Sequence, residues 1–180
     1  MRDNSAPPPG TATNGLELSG KHSELIRAVV EDFGAYFAPG GVLIYIGDTG
    51  EKRGYFDAVS LAQLGICVDA HGKFPDVVMY YPGRNRLFLV ESVTSHGPIN
   101  RKRRAELTRL FANATAGLVY VTAFPSRAIM SRHLGEIAWG TEVWVADAAS
   151  HPIHFNGGRL LGPYTPATTD AKNKAPGDSL

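Results

Sequence analysis

Hydrophobic positions in the first third of the chain change from helical spacing to a continuous apolar run. Between residues 21 and 37, apolar side chains recur every three or four positions and end at Pro39-Gly40-Gly41, which predicts an amphipathic helix. The following run, Val42-Leu43-Ile44-Tyr45-Ile46, is too short for a typical helix and predicts a buried strand. A second, shorter helix is predicted over residues 56–64.

The second half of the chain predicts a hairpin followed by alternating helices and strands. Two β-branched and aromatic runs, Val77–Tyr81 and Leu87–Val93, are joined by Pro82-Gly83-Arg84-Asn85, which is typical of a hairpin turn. The element order therefore predicts an α/β fold with a mixed central sheet flanked by helices. The remaining elements are a helix from about 101 to 113 with Asn100 as N-cap, a strand over 118–122, a helix from Ser126 to about 138, and strands over 143–146 and 153–155.

Both ends of the chain lack any periodic pattern. Residues 1–18 contain three consecutive prolines among small polar residues, and residues 165–180 have a similar composition. Neither segment carries enough apolar surface to offset the entropy lost on ordering. We therefore expect one folded domain over residues 19–164 between disordered tails at 1–18 and 165–180.

Composition excludes several classes of protein. With 43% hydrophobic and 19% charged residues, the sequence is typical of a globular domain and not of a disordered chain. A formal net charge of +1 gives no argument for a nucleic-acid partner, so such an argument depends on where the charges lie. The single Cys67 excludes an internal disulfide, and no apolar run suits a signal peptide or a membrane helix. We expect a cytoplasmic protein.

Two carboxylates are predicted to meet at the open end of the hairpin. Asp76 precedes the first strand and Glu91 lies near the end of the second, fifteen positions later, so antiparallel pairing brings them together. Taken singly, each has an ordinary explanation as a strand-capping or solvated acid. Glu91, however, directly follows four apolar residues, and a buried carboxylate is costly unless it is paired or bound to a metal. Mg²⁺ is the hard cation that such oxygen ligands favour.

A basic cluster opens the helix that follows Glu91. Arg101-Lys102-Arg103-Arg104 occupies the first turn, where positive charge opposes the helix dipole. A solvated basic face is one explanation, and a binding site for the phosphates of DNA is the other. An acidic metal site next to a basic helix start favours phosphodiester chemistry.

Five stretches of this sequence together resemble one family of nucleases. Those stretches are GDTGEKRGYFD (47–57), DAHGKFPDVVMY (69–80), RNRLFLVESVTSHGPINRKRRAEL (84–107), GLVYVTAFPSRA (117–128) and AWGTEVWVADAASHPIHFNG (138–157). Together they resemble the catalytic domain of the BsuBI/PstI type II restriction endonucleases, over about residues 42–164. That family belongs to the PD-(D/E)XK nuclease superfamily, whose α-β-β-β-α-β core agrees with the predicted order. The resemblance implies that Asp76 and Glu91 bind the metal and that Ser92 offers its backbone carbonyl.

This sequence departs from the superfamily motif at one position. The motif lysine should follow Ser92, and Val93 stands there instead. The resemblance implies that a basic residue from a neighbouring element replaces it, and we prefer Lys102 to Lys73. It also implies that an acid of the first helix joins the metal site, for which Glu24 and Glu31 are equally suitable.

The resemblance implies a Mg²⁺-dependent endonuclease that hydrolyses double-stranded DNA at a specific sequence. Such an enzyme leaves 5′-phosphate and 3′-hydroxyl ends and works beside a cognate DNA methyltransferase. Because palindromic sites are read by twofold-symmetric proteins, we expect a homodimer. Two alternatives remain open at this point: a catalytically inactive or truncated DNA-binding remnant of the same fold, and a structure-specific repair nuclease. A methyltransferase is disfavoured because the sequence has no suitable glycine loop.

Overall fold

A mixed six-stranded sheet forms the centre of the protein. The computed structural model describes residues 20–47, 54–66, 73–94 and 97–155. The strands are β1 (Val42–Ile46), β2 (Val77–Tyr81), β3 (Arg86–Ser92), β4 (Gly117–Phe124), β5 (Thr141–Val145) and β6 (Ile153–Phe155). They lie in the sheet in chain order. The β3–β4 and β4–β5 pairs are parallel, whereas the other three pairs are antiparallel.

Helices cover both faces of this sheet. The first is continuous over the predicted range, because its three segments share right-handed helical backbone angles at their junctions. Short 3₁₀ turns follow β2 and β5, at Pro82–Arg84 and Ala146–Ala148. The helical segments are α1 (Gly20–Ala28), a π-helical turn (Val29–Phe33), α2 (Gly34–Phe37), α3 (Ala58–Gln63), α4 (Arg101–Leu110) and α5 (Arg127–Ser131).

The two faces of the sheet carry separate apolar layers. Leu25, Ile26 and Phe33 of the first helix pack on one face, and α3 and α4 pack on the other through Leu61 and Leu107. A bulge between Leu43 and Tyr45 shifts the register of β1 against β2, so that Leu43 and Ile46 both contribute to the first layer. The predicted α/β architecture with a mixed, helix-flanked sheet is therefore confirmed.

The β2–β3 hairpin turns through Asn85. This residue has a φ of 47°, a left-handed conformation that asparagine tolerates better than most residues. Its side chain donates to the Thr115 carbonyl at 3.2 Å and accepts from the Tyr80 hydroxyl at 3.1 Å. A turn fixed in this way sets the register of the hairpin and so determines which residues meet at its open end.

Two predicted helices end earlier than the sequence pattern indicates. The α5 helix stops at Ser131 instead of near residue 138. The chain then continues in turns, in which the His133 amide donates to the Met130 carbonyl, and the Ala138 amide donates to the Ile99 carbonyl at 3.0 Å and not to a helical acceptor. The α4 helix ends at Leu110 and not at 113. The two predicted tails and Cys67 lie outside the described residues. No helix within the described ranges is both long and apolar enough to cross a bilayer.

Candidate active site

The open end of the β2–β3 hairpin brings Asp76 and Glu91 together. The register pairs Val77 with Val90, and Asp76 and Glu91 are the next residues outward on the two strands. The Ser92 backbone N–H donates to Oδ2 of Asp76 at 2.7 Å, which ties the two strand ends to each other. The side chain of Asp76 is 27% exposed, so the carboxylate is reachable from solvent but held on one side.

Glu91 is the more buried of the two acids. Its side chain is 17% exposed, and burial raises the pKa of its carboxyl above the ordinary value. The guanidinium of Arg103 lowers that pKa, the charge of Asp76 raises it, and the net direction is upward. The charge of Lys73 also lowers it. Burial thus outweighs the effect of the two nearby cations on this carboxyl, and a further cation would stabilise its ionised form.

Arg103 is the cation of α4 that contacts Glu91. Its Nη2 lies 2.6 Å from Glu91 Oε1, and its Nε donates to the same oxygen at 2.7 Å. Nη2 also donates to the Phe74 carbonyl at 3.0 Å, and the side chain is only 14% exposed. The structure thus brings one member of the predicted DNA-binding cluster to the acidic pair.

The N-cap of α4 helps to place that guanidinium. The Asn100 side chain accepts from the Arg103 backbone N–H at 2.9 Å, as predicted for an N-cap. Helical spacing places Arg103 one turn before the buried Leu107, on the face of α4 that meets the sheet. Lys102 is instead one turn before Glu106, on the solvent side. That one-turn relation to Leu107 is the sequence signal that distinguishes the two residues.

The other three basic residues of the cluster lie toward solvent. Lys102 has an 87% exposed side chain whose Nζ is 3.9 Å from Glu106, and Arg101 is exposed. Arg104 lies over the Tyr120 ring, with its guanidinium carbon 5.4 Å from the ring centre. Among described residues, the structure shows no contact between Lys102 and either acid. The assignment of Lys102 as the substitute for the motif lysine therefore stays a prediction.

Val93, at the motif lysine position, is a core residue. It is 2% exposed and packs with Phe124, Val143 and Val145 on β4 and β5. Its backbone N–H donates to the Ala123 carbonyl at 2.8 Å, which extends the pairing of β3 with β4. A lysine at this position would place its ammonium group in an apolar layer, so the cation near Glu91 has to come from another element.

The first helix contributes a residue that sequence reasoning missed. His22 lies with Nε2 3.7 Å from Oδ1 of Asp76 and with Nδ1 3.2 Å from the Thr94 hydroxyl. Of the two acids considered on this helix, Glu24 is exposed beside a cavity of about 510 Å³ and Glu31 lies on the π-helical turn. No spacing rule connects His22 with Asp76, because the contact is formed only by the packing of α1 on the sheet.

The donor set at the hairpin end suits a hard divalent cation. Both short contacts from Arg103 fall on Oε1 of Glu91, and no described residue forms a hydrogen bond to Oε2. Ser92 is 5% exposed, and its buried hydroxyl has no hydrogen-bond partner within the described ranges. The same ranges contain no cluster of three or more His, Cys, Asp or Glu side chains. A cation held here would thus rely on two carboxylates, a backbone carbonyl and water, as Mg²⁺ commonly does.

Comparison with known proteins gives a consistent result. Residues 12–158 match the BsuBI/PstI restriction endonuclease domain. The chain is 63% identical to type II restriction enzyme BsuBI of Bacillus subtilis over 145 residues, which are 81% of this chain and 46% of that enzyme. It is 35% identical to type II restriction enzyme AplI of Arthrospira platensis over 149 residues, 79% of this chain and 46% of that enzyme.

A solved structure agrees with these sequence matches. The SdaI restriction endonuclease superposes with a TM-score of 0.74 at 44% identity, covering 81% of this chain and 46% of that one. The chain thus spans about half the length of the relatives that it matches. The expected PD-(D/E)XK fold is confirmed by this likeness. With its matching sheet, its paired acids and this extent of identity, the chain belongs to the BsuBI/PstI restriction endonuclease domain family.

Proposed function

We propose that this chain is the catalytic part of a type II restriction endonuclease that cuts double-stranded DNA at a specific sequence with Mg²⁺. The observation that carries the proposal is the pair of acids at the open end of the hairpin, one of them with only 17% of its side chain exposed, in a chain of this family. Hydrolysis at this site would leave 5′-phosphate and 3′-hydroxyl ends. BsuBI and AplI, which are named as type II restriction enzymes, support this reaction class.

Asp76 and Glu91 would hold the metal, with the Ser92 carbonyl as a further ligand. When bound, a divalent cation supplies an activated water and stabilises negative charge on the phosphate. The protein's own part is to place the carboxylates before the metal arrives, since the Ser92 N–H already fixes one oxygen of Asp76. Arg103 fixes one oxygen of Glu91 and leaves the other for the metal.

Arg103 is the residue that we propose as the functional substitute for the motif lysine. It brings to Glu91 a permanent positive charge that the buried, apolar side chain of Val93 cannot supply. A guanidinium does not lose its proton at physiological pH, so its contribution is charge and orientation and not proton transfer. Lys102 is the alternative candidate, because its ammonium group is exposed at the start of the same helix.

The exposed cations at the start of α4 would bind the DNA backbone. Arg101 and Lys102 are exposed, and Arg104 is exposed while stacked on Tyr120. Together they form a positive surface directly beside the acidic pair, which is the arrangement that a phosphodiester substrate requires. We further propose a homodimer on a palindromic site, a partner DNA methyltransferase that protects host DNA, and action in the cytoplasm.

The test is digestion of unmethylated plasmid by the wild-type chain with Mg²⁺ or with EDTA. Discrete fragments should appear only with Mg²⁺, and Asp76→Asn and Glu91→Gln should each lower the rate by about 100-fold or more, because a catalytic metal supplies several kcal/mol. Glu142→Gln is the matched control, since that carboxylate pairs with His154 on the far strands and should leave cutting unchanged.

Each other outcome contradicts the proposal in a defined way. Uncut plasmid that is nevertheless bound, with strong salt dependence, would identify a DNA-binding remnant, which the buried Val93 at the lysine position favours as the second candidate. Cleavage confined to branched or single-stranded DNA would identify a repair nuclease. If the Asp76→Asn and Glu91→Gln variants both still cut plasmid, the active site lies elsewhere in the chain.

A further inference from the structure

His22 faces the oxygen of Asp76 that the Ser92 backbone amide does not contact. The Ser92 amide donates to Oδ2 of Asp76, and His22 Nε2 faces Oδ1 at 3.7 Å. The other ring nitrogen of His22 lies 3.2 Å from the Thr94 hydroxyl, just beyond the end of β3. The imidazole thus lies between α1, the residue before β2 and the segment after β3, next to the acidic pair.

The chemistry of the ring determines which nitrogen carries the hydrogen. A hydroxyl can donate or accept, so Thr94 suits either form of the Nδ1 atom. The Asp76 carboxylate only accepts, so an Nε2 without hydrogen would place a lone pair against negative charge. In the neutral ring the favoured arrangement has Thr94 donating to Nδ1 and Nε2–H directed at Asp76. In the charged ring Nδ1–H donates to Thr94 instead, and Nε2–H still faces Asp76.

We propose that His22 is a positioning residue that orients Asp76 for metal binding and that Thr94 fixes His22 in turn. This inference rests on the proposed function, because it assigns Asp76 as a metal ligand. Hydrogen-bond donors behind ligating groups commonly contribute 10–100-fold to metal affinity or activity. His22 acts through Asp76 and touches neither metal nor DNA in this scheme. Its proposed role differs from the one predicted for Glu24 or Glu31, which is direct binding of the metal by an acid of the first helix.

The experiment measures Mg²⁺ binding to the full chain by calorimetry, without DNA. His22→Ala should weaken Mg²⁺ binding by about 10-fold or more, whereas His22→Gln, whose amide nitrogen can take the place of Nε2, should stay within about threefold of wild type. Thr94→Val removes the hydroxyl with little change of shape and should weaken binding in the same direction. Thr94→Ser keeps the hydroxyl and should bind as the wild type does.

A second measurement separates orientation from folding. All four variants are melted thermally, and the expected result is that His22→Ala keeps the wild-type melting temperature while losing Mg²⁺ affinity. In plasmid cleavage measured across a range of DNA concentrations, His22→Ala should lower kcat and leave KM unchanged, because the histidine does not contact the substrate. Wild-type Mg²⁺ affinity in His22→Ala would overturn the proposal, as would equal weakening by Gln and Ala.

Failure of this inference is distinguishable from failure of the proposed function. Asp76→Asn is measured in the same titration, and loss of Mg²⁺ binding in that variant supports the metal site itself. If Asp76→Asn loses binding and His22→Ala does not, only the role of His22 is wrong. If Asp76→Asn binds Mg²⁺ normally, the proposed metal site is wrong at its first residue.

Discussion

Glu91 and Arg103 form an ion pair in which both side chains are largely buried. Removing one partner of such a pair leaves an uncompensated charge, at a typical cost of about 3–5 kcal/mol. The pair therefore has a structural role as well as the proposed catalytic one. A variant that keeps the positive charge tests the catalytic role without leaving Glu91 uncompensated. Arg103→Lys retains the charge while losing the fork that contacts Glu91 and Phe74 together.

We predict that Arg103→Lys lowers plasmid cleavage by about 10-fold or more, because a single ammonium does not reproduce the guanidinium's two contacts with Glu91 and its contact with the Phe74 carbonyl. Lys102→Ala should lower cleavage less than Arg103→Lys at low salt, since its ammonium group is 87% exposed. Initial rates at saturating Mg²⁺, together with urea unfolding of each variant, provide the measurement. A larger loss in Lys102→Ala would restore Lys102 as the substitute for the motif lysine.

The raised pKa of Glu91 predicts a pH dependence of stability. The folded protein holds the proton of this carboxyl more tightly than the unfolded chain, whose ordinary pKa is 4.5. The linked stabilisation is therefore complete below the unfolded pKa and is lost as the pH rises through the folded one. In urea unfolding with EDTA between about pH 4 and 8, the wild type should lose stability relative to Glu91→Gln as the pH rises. Parallel profiles for the two proteins would contradict this, and Glu142→Gln controls for the change in net charge.

Elements were predictable from sequence where local pattern and tertiary packing agree. The two strands of the hairpin were predicted because their apolar runs are bounded by clear turn residues, and this was sufficient to bring Asp76 and Glu91 together. The bulge in β1 and the early end of α5 were not predictable. The bulge depends on pairing with β2. The segment after α5 contains a contact far along the chain, from the Ala138 amide to the Ile99 carbonyl, that no local pattern encodes.

The residues of the candidate site show the same contrast between features encoded by local sequence and features that depend on distant packing. Pairing within one hairpin is encoded locally, so the acids could be found from their spacing. The contacts of Arg103 and His22 require α4 and α1 to pack on opposite layers of the sheet, and no single-chain spacing encodes that packing. Lys102 was preferred to Lys73 because it lies at the start of the helix after Glu91. The position of the buried Leu107 shows that Arg103, and not Lys102, faces inward from that helix start.

At the scale of the whole molecule, a formal net charge of +1 means that attraction to DNA has to be local. We predict that Arg101→Ala and Lys102→Ala each weaken DNA binding and each lower the slope of log affinity against log salt by about 1, as expected for the loss of one phosphate contact. Fluorescence anisotropy of a labelled duplex with Ca²⁺ across a salt series provides the measurement.

Arg84 provides the matched control for that series. It is an exposed arginine in the turn at the other end of the same hairpin, so Arg84→Ala removes equal charge at a distant point. Its salt slope should equal that of the wild type. If Arg84→Ala and Arg101→Ala lower the salt slope equally, DNA binding depends on overall charge and not on the start of α4.

The hairpin that carries both acids also affects how the protein folds. Its strands are joined by only four residues, and hairpins of this kind close within microseconds, well before distant segments meet. During that interval the two carboxylates would repel each other without the guanidinium that later neutralises one of them. Docking of α4 should therefore stabilise the newly formed hairpin. An Arg103→Ala variant should refold more slowly than the wild type in stopped-flow refolding at neutral pH with EDTA.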